Sequence, residues 1–404
     1  MPRSLRVLLT MVTFLVFASA VEAGKNTSLI ELRVGTARHQ GRVLSRDSRN
    51  VLLLDRAGKI TELPLKKVSS FRTVSPRFAP LTSTMLNSAL LKELGRGYEI
   101  KTTRHYVVAA ARGRAQKYVE LFEEIYRSFH MHFSVRGLAI DRPEFPMVAI
   151  VFPDHSAFAE YAKGDKVNAR SGLMGYYMPS TNRVALFEGS SPSTRPQGNW
   201  REKTSPLRKW SQPENWIKTP VTEFETAIQG ASPQPAASMH PRPYGAIQAD
   251  LRDTMIHEAT HQVAFNVGLH SRTQENPQWV VEGLATAFEP DGMRDSSKGR
   301  DQKYRINRER YVWFQNYVKR RPANSLGDFV ENDDLFKRAT LDAYSQAWAL
   351  SFFLIETRPR KYTTYLKRLA AGSGEDRAKL FAEVFGSNTR MLDAEMLRFF
   401  RRIK

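Results

Sequence analysis

The 404-residue sequence predicts an α+β fold, with a small β-rich unit ahead of a larger domain whose second half is mostly helical. Three observations point there. Short β-rich runs recur between residues 29 and 76, separated by turn residues. Strand-like apolar runs then alternate with helical periodicity up to residue 188. Past residue 246 the apolar spacing is helical almost throughout. A chain of this length can bury two or three separate cores.

The N-terminus is set apart. Two arginines within Met1–Arg6 precede the apolar run "VLLTMVTFLVFASA", and small residues follow it. That pattern predicts a secretory signal peptide over residues 1–23, and hence a secreted, periplasmic or cell-surface protein. The apolar run is too short to span a bilayer comfortably. No other segment reads as transmembrane, so none is expected after cleavage.

Residues 29–76 hold five runs, "LIELRV", "GRVLSR", "NVLLLDR", "ITELPL" and "SFRTV". "RDSRN" and "RAGK" read as hairpin turns between them. Five short strands in so few residues suggest a small SH3-like β-barrel. Residues 77–98, which include the Pro/Ser/Thr-rich "RFAPLTST", read as a linker. The second domain, 99–404, opens with the strand pattern "YEIKTTRHYVVAAA". Tyr118, Leu121, Phe122, Ile125 and Phe129 then recur at helical spacing. "FPMVAIVF" reads as a buried strand and "HSAFAEYAK" as a short helix. "GLMGYYMP" and "NRVALFE" read as a strand pair around the turn "PSTN". A Pro/Ser-rich insertion occupies 189–245 and carries Trp200, Trp210 and Trp216 among basic residues. Such interleaving fits polysaccharide or nucleic-acid contact, though a surface insertion is the plainer reading. Beyond it come several helices, among them the strongly apolar "DAYSQAWALSFFLIE".

The chain has no cysteine and a formal charge of +20. Without cysteine there is no disulfide, thiol nucleophile or thiolate metal site, so any metal is held by His, Asp or Glu. The positive residues are spread along the chain, with no helix-turn-helix, zinc-finger or RNA-recognition signature. A nucleic-acid partner is therefore disfavoured. The charge fits a solvated basic surface, or attraction to an anionic polymer or cell surface.

The chemistry concentrates in "DTMIHEATHQVAFNVG", residues 253–268. His257, Glu258 and His261 make H-E-x-x-H. On a helix, residues four apart share a face, so both imidazoles can reach one ion at about 2.1 Å. Glu258 is rotated away and can reach a bound water instead. Leu251, Met255, Ile256, Val263, Ala264 and Val267 supply an apolar face, and Gly268 is placed to stop the helix. A third ligand is needed. The metzincin pattern would require Gly at 264 and His at 267, where this sequence has Ala264 and Val267. Glu282, in "NPQWVVEGLATAFE", lies on a second helical stretch that could pack on the first.

H-E-x-x-H followed by W-x-x-E-G-x-A resembles the gluzincin branch of zinc metallopeptidases, most closely its exported bacterial gluzincin-like proteins. The resemblance extends over roughly residues 100–400 in the order of elements. It implies a zincin-like domain in which His257, His261 and Glu282 ligate one Zn2+ and leave a position for water. It further implies that Glu258 is the general base in hydrolysis of a peptide or protein substrate. "NRVALFE" would be the edge strand pairing with that substrate. Tyr344 lies where such families place an oxyanion helper, yet Tyr344, Trp348 and Phe352 also form the stripe of a buried helix face. His270 is a weaker candidate for the helper. Some gluzincins carry Asp four residues after the glutamate ligand to orient the first histidine. Here that position is Thr286, so the orienting partner must be Glu289 or a backbone carbonyl. The same scaffold could also serve as a binding module without catalysis.

Overall fold

The structure is a computed structural model that describes residues 28–169, 173–189, 247–295, 297–372 and 376–403. The segment expected to be a signal peptide lies outside these residues, as does the 190–246 stretch with its three tryptophans. The described chain is mixed α and β, with a β unit first and a helical C-terminal half. It divides into two compact units, one of residues up to 56 with 61–79, the other of 57–60 with 80–404. Among the described residues no helix is long and apolar enough to cross a membrane.

The smaller unit is one five-stranded sheet, ordered β4-β3-β2-β1-β5. Its strands are β1 (Leu29–Val34), β2 (Ala37–Arg46), β3 (Asn50–Leu54), β4 (Ile60–Pro64) and β5 (Val68–Ser75). The alternation of β1 puts Ile30 and Leu32 into a small core with Val51, Leu53 and Leu63. Glu31, between them, bonds Arg72 at 2.8 Å and Gln40 at 2.7 Å.

The larger unit begins with a difference from expectation. Residues 83–94, inside the expected linker, form helix α1 (Ser83–Leu94). The Ser/Thr/Pro content that suggested a loop includes a helix cap: Thr82 accepts a hydrogen bond from the Met85 amide at 3.3 Å. Leu86 and Leu90, one turn apart, are both buried. A second difference follows. The single run "YEIKTTRHYVVAAA" is a hairpin of β6 (Tyr98–Thr102) and β7 (Tyr106–Ala111). Glu123 holds the bend, accepting from the Thr103 hydroxyl at 2.7 Å and the His105 amide at 3.2 Å.

Helix α2 (Ala115–Ser134) leads to β8 (Met147–Phe152), and α3 (His155–Gly164) to β9 (Gly175–Met178) and β10 (Arg183–Phe187). The sheet order is β6-β7-β8-β10-β9, with β7, β8 and β10 parallel and both outer pairs antiparallel. The central strands are buried on both faces, which is why they read as continuous apolar runs. Tyr106, Val108, Met147, Ala149, Val184 and Leu186 join the main core with α2. Val107, Ala109, Val148, Ile150 and Ala185 join α1 and α3 in a second core.

This topology corrects one expectation. "NRVALFE" is β10, enclosed between β8 and β9, so the edge strand on that side of the sheet is β9. Being parallel to β8 and antiparallel to β9, β10 has no free side for a substrate strand.

The helical half consists of α4 (Ala249–Asn266), α5 (Gln278–Phe288), α6 (Asp291–Arg294), α7 (Arg308–Val318), α8 (Ser325–Glu331), α9 (Asp334–Arg338), α10 (Thr340–Thr357), α11 (Pro359–Ala371), α12 (Arg377–Phe385) and α13 (Thr389–Arg402). The basic stretch 294–321 conceals α7, whose Trp313, Phe314 and Tyr317 are buried between its charges. Gly283 permits the tight crossing of α5 and α10. A Cβ there would lie 2.2 Å from Ser351 Oγ and 2.5 Å from the Ala347 carbonyl oxygen.

Candidate metal centre

Helix α4 has two faces. Leu251, Met255, Ile256, Ala259, Val263, Ala264 and Val267 are fully buried in the main core. The helix stops at Gly268, whose φ of +76° suits glycine. Gln262 ties α4 to the sheet by donating to the carbonyls of Val148 at 3.0 Å and Asn182 at 2.9 Å. His257, Glu258 and His261 line the remaining face.

Helix α5 brings Glu282 to the two histidines. Its Oε2 lies 3.3 Å from His257 Nε2 and 3.7 Å from His261 Nε2. The two Nε2 atoms are 3.0 Å apart. The three ligand atoms thus all lie within 4.8 Å of one another, a possible His-His-Glu metal-binding triad. Residues separated in sequence converge because α4 and α5 pack side by side, α5 being held by the fully buried Trp279 ring against Tyr365 and Phe381.

The charges fit a cation. Burial works against protonation of His257, but its hydrogen bonds to Glu282 and Glu289 raise its pKa well above the ordinary imidazole value. Burial would raise Glu282, yet the two histidines and the Tyr344 hydroxyl hold it down to about 2. Burial takes His261 down to about 4. A proton on His257 thus lies between the Glu282 and Glu289 carboxylates. Glu282 Oε2 is buried and faces the two histidine Nε2 atoms, as a ligand atom would.

Glu258 stands apart from the triad. Its Oε2 accepts a 2.7 Å hydrogen bond from the Tyr177 amide. That amide belongs to the edge strand β9 and is turned towards the site. Burial, reinforced by Glu282 and Glu289 and opposed by His257, lifts Glu258 to about 7. A carboxyl so placed can take and return protons near neutrality.

Of the two sources left open for the partner of His257, the structure has the carboxylate. His257 Nδ1 is 2.8 Å from Glu289 Oε1. Glu289 Oε2 in turn accepts from the Asn307 amide at 2.5 Å, and that amide also reaches the Thr286 carbonyl at 3.1 Å. Thr286 itself only caps its own helix turn, donating to the Glu282 carbonyl at 2.7 Å. Asn307 was not visible beforehand. Its one sequence signal is its place as N-cap of α7, where it accepts from the Arg310 amide.

Tyr344 and the rest of its stripe part company. Trp348 and Phe352 are fully buried and stacked at 15°. Tyr344, one turn earlier, is half-buried beside the triad, with its hydroxyl hydrogen-bonded to Glu282. Burial and Glu282 both raise its pKa, so the hydroxyl keeps its proton. The Arg310 guanidinium sits over its ring, 5.3 Å from the centroid. His270 is unsuited to donating to an oxyanion. Its Nδ1 is 2.9 Å from the Leu269 carbonyl, which can only accept, and burial takes its pKa down to about 3. The outward nitrogen of a neutral ring in that tautomer carries no proton.

The sequence model of a family described as "Protein of unknown function (DUF1570)" matches residues 252–373. The match runs from α4 to the end of α11, so it contains the triad, Glu258, Glu289, Asn307 and Tyr344. No curated protein matches the chain.

Proposed function

We propose that this chain is an exported zinc-dependent hydrolase of peptide bonds, built on a gluzincin-type zincin-like domain behind a small SH3-like barrel. One observation carries the reading. The His257, His261 and Glu282 ligand atoms converge on one point, while Glu258 stands beside them, hydrogen-bonded to the edge strand. A site meant only to hold a structural ion has no use for that fourth, separately held carboxyl.

His257, His261 and Glu282 would hold the ion, which supplies Lewis-acid polarisation of the carbonyl and an acidified water. Glu258, ionised in part at neutral pH, takes the proton of the attacking water and delivers it to the leaving amine. Tyr344, kept protonated, offers its hydroxyl to the oxygen that becomes negative. The edge of β9 offers main-chain groups to an extended substrate. The basic composition favours acidic partners, whether an anionic polymer or a cell surface.

The decisive experiment measures bound metal and peptide cleavage together. The protein is expected to hold about one zinc per chain. Cleavage of casein or a mixed peptide library should vanish with a chelator and return with zinc. Glu258→Gln should lower kcat by about 10²- to 10⁴-fold while metal content stays unchanged. Cleavage that persists in Glu258→Gln would overturn the assigned chemistry. Metal binding without any cleavage would leave a binding module on the same scaffold.

A further inference from the structure

The two metal-site histidines are supported unequally. His257 donates through Nδ1 to Glu289. His261 Nδ1 is buried with no hydrogen-bond partner among the described residues. Metal-ligating histidines regularly give their second ring N–H to an acceptor, which fixes tautomer and ring angle.

The tautomer of His261 follows from its neighbours. Its Nε2 faces His257 Nε2 at 3.0 Å and lies near Glu282. A ligand nitrogen must be a lone pair, so with Nε2 on the ion the ring hydrogen of neutral His261 sits on Nδ1. It is a buried donor in need of an acceptor.

His270 has the complementary defect. Its Nδ1 donates to the Leu269 carbonyl at 2.9 Å, which leaves Nε2 a lone pair. Nε2 is also buried without a partner. The ring packs edge-on to Phe265 at 5.1 Å, and Phe265 is one turn along α4 from His261. The His270 amide donates to the Ala264 carbonyl at 3.2 Å, so the loop after α4 folds back onto the turn that follows His261. One buried donor and one buried acceptor thus lie at the same end of α4, each without a hydrogen-bond partner among the described residues.

We propose that His270 is the positioning residue for His261, accepting its Nδ1–H across one ordered water, as Glu289 does directly for His257. The assignment rests on the metal-centre reading given above. It recasts a candidate oxyanion donor as an acceptor that orients a ligand. A water held between two buried ring nitrogens fits the polar partners such waters require.

The test compares His270→Leu, which keeps bulk but has no acceptor, with His270→Gln, whose side-chain oxygen can stand near the Nε2 position. Zinc affinity is read by competition with a chromophoric chelator, and folding by circular dichroism of the metal-free proteins. His270→Leu should bind zinc about 10- to 100-fold more weakly, and His270→Gln should recover most of the loss. Equal zinc affinity in folded His270→Leu and the wild type would overturn the proposal. If His270→Leu does not fold, the imidazole ¹⁵N spectrum of the wild type decides. A His261 Nδ1–H protected from exchange and shifted in His270→Gln supports the contact, and an unprotected one removes it. Wild-type protein that takes up no zinc would sink the metal-centre reading instead, and the same spectrum of the metal-free protein would still judge His270.

Discussion

The two walls of the site are built from different parts. On one side, helices supply side chains: His257 and His261 from α4, Glu282 from α5, Tyr344 from α10, with Glu289 and Asn307 behind them. On the other, β9 supplies a main-chain amide, that of Tyr177, to Glu258. On the proposed function, the helical wall would set where a cation sits and the strand wall where the base and an extended chain sit. Binding metal and using it would then be separable, and each wall could be broken without the other.

The largest expected effect lies on the helical wall. Glu289→Ala removes the acceptor of His257 Nδ1 and should weaken zinc binding about 10- to 100-fold. Glu289→Gln, which keeps an oxygen at that place, should fall between. Chelator competition measures both. A Glu289→Ala protein that binds zinc like the wild type would mean that packing alone orients His257.

The strand wall should respond in stability. Asn182, at φ 58° in the β9–β10 turn, accepts from the Tyr177 hydroxyl at 2.9 Å and exchanges hydrogen bonds with Asn266 on α4 at 2.9 and 2.7 Å. Asn182→Ala strands the buried Tyr177 hydroxyl, unpairs the half-buried Asn266 amide and places alanine in the left-handed region. About 2 kcal/mol of stability should be lost, with zinc affinity unchanged and turnover reduced. Urea unfolding beside zinc titration reads both, and a parallel fall in zinc affinity would show that the walls are coupled after all.

The same contrast explains what the sequence could disclose. The His257, His261 and Glu282 cluster was legible because helical periodicity turns spacing into a shared face, and because W-x-x-E-G-x-A resembles the context of a gluzincin ligand. The mixed fold and the buried strands were legible from apolar runs. The contribution of Tyr177 was not, since it is a backbone amide whose side chain carries no signal. Nor was the enclosure of β10, because strand order depends on pairings that no local pattern encodes. Thr82 was read as loop because the same residue types serve turns and helix caps. Asn307 was hidden for the same reason, its amide reaching across 18 residues to Glu289.

The smallest effect separates charge from shape on the helical wall. Asp253 lies one turn before His257 on α4. Burial raises its carboxyl to about 6, with Glu289 and Asp250 adding to the rise and Arg252 and Arg294 opposing it. A folded-state pKa above the unfolded value means that the folded protein holds this proton more tightly. The carboxyl is therefore harmless below about pH 4, where it is protonated in both states. It becomes destabilising as pH rises through about 6, where the folded protein must carry the buried charge. A shift of about two units corresponds to about 3 kcal/mol, and partial exposure reduces this. Asp253→Asn should thus stabilise the metal-free protein by about 1–2 kcal/mol at pH 8 and by almost nothing at pH 4. Urea midpoints at the two pH values check it. An equal gain at both would assign the effect to shape rather than charge, and a loss at pH 8 would show that the ionised carboxylate supports α4 through its arginine neighbours.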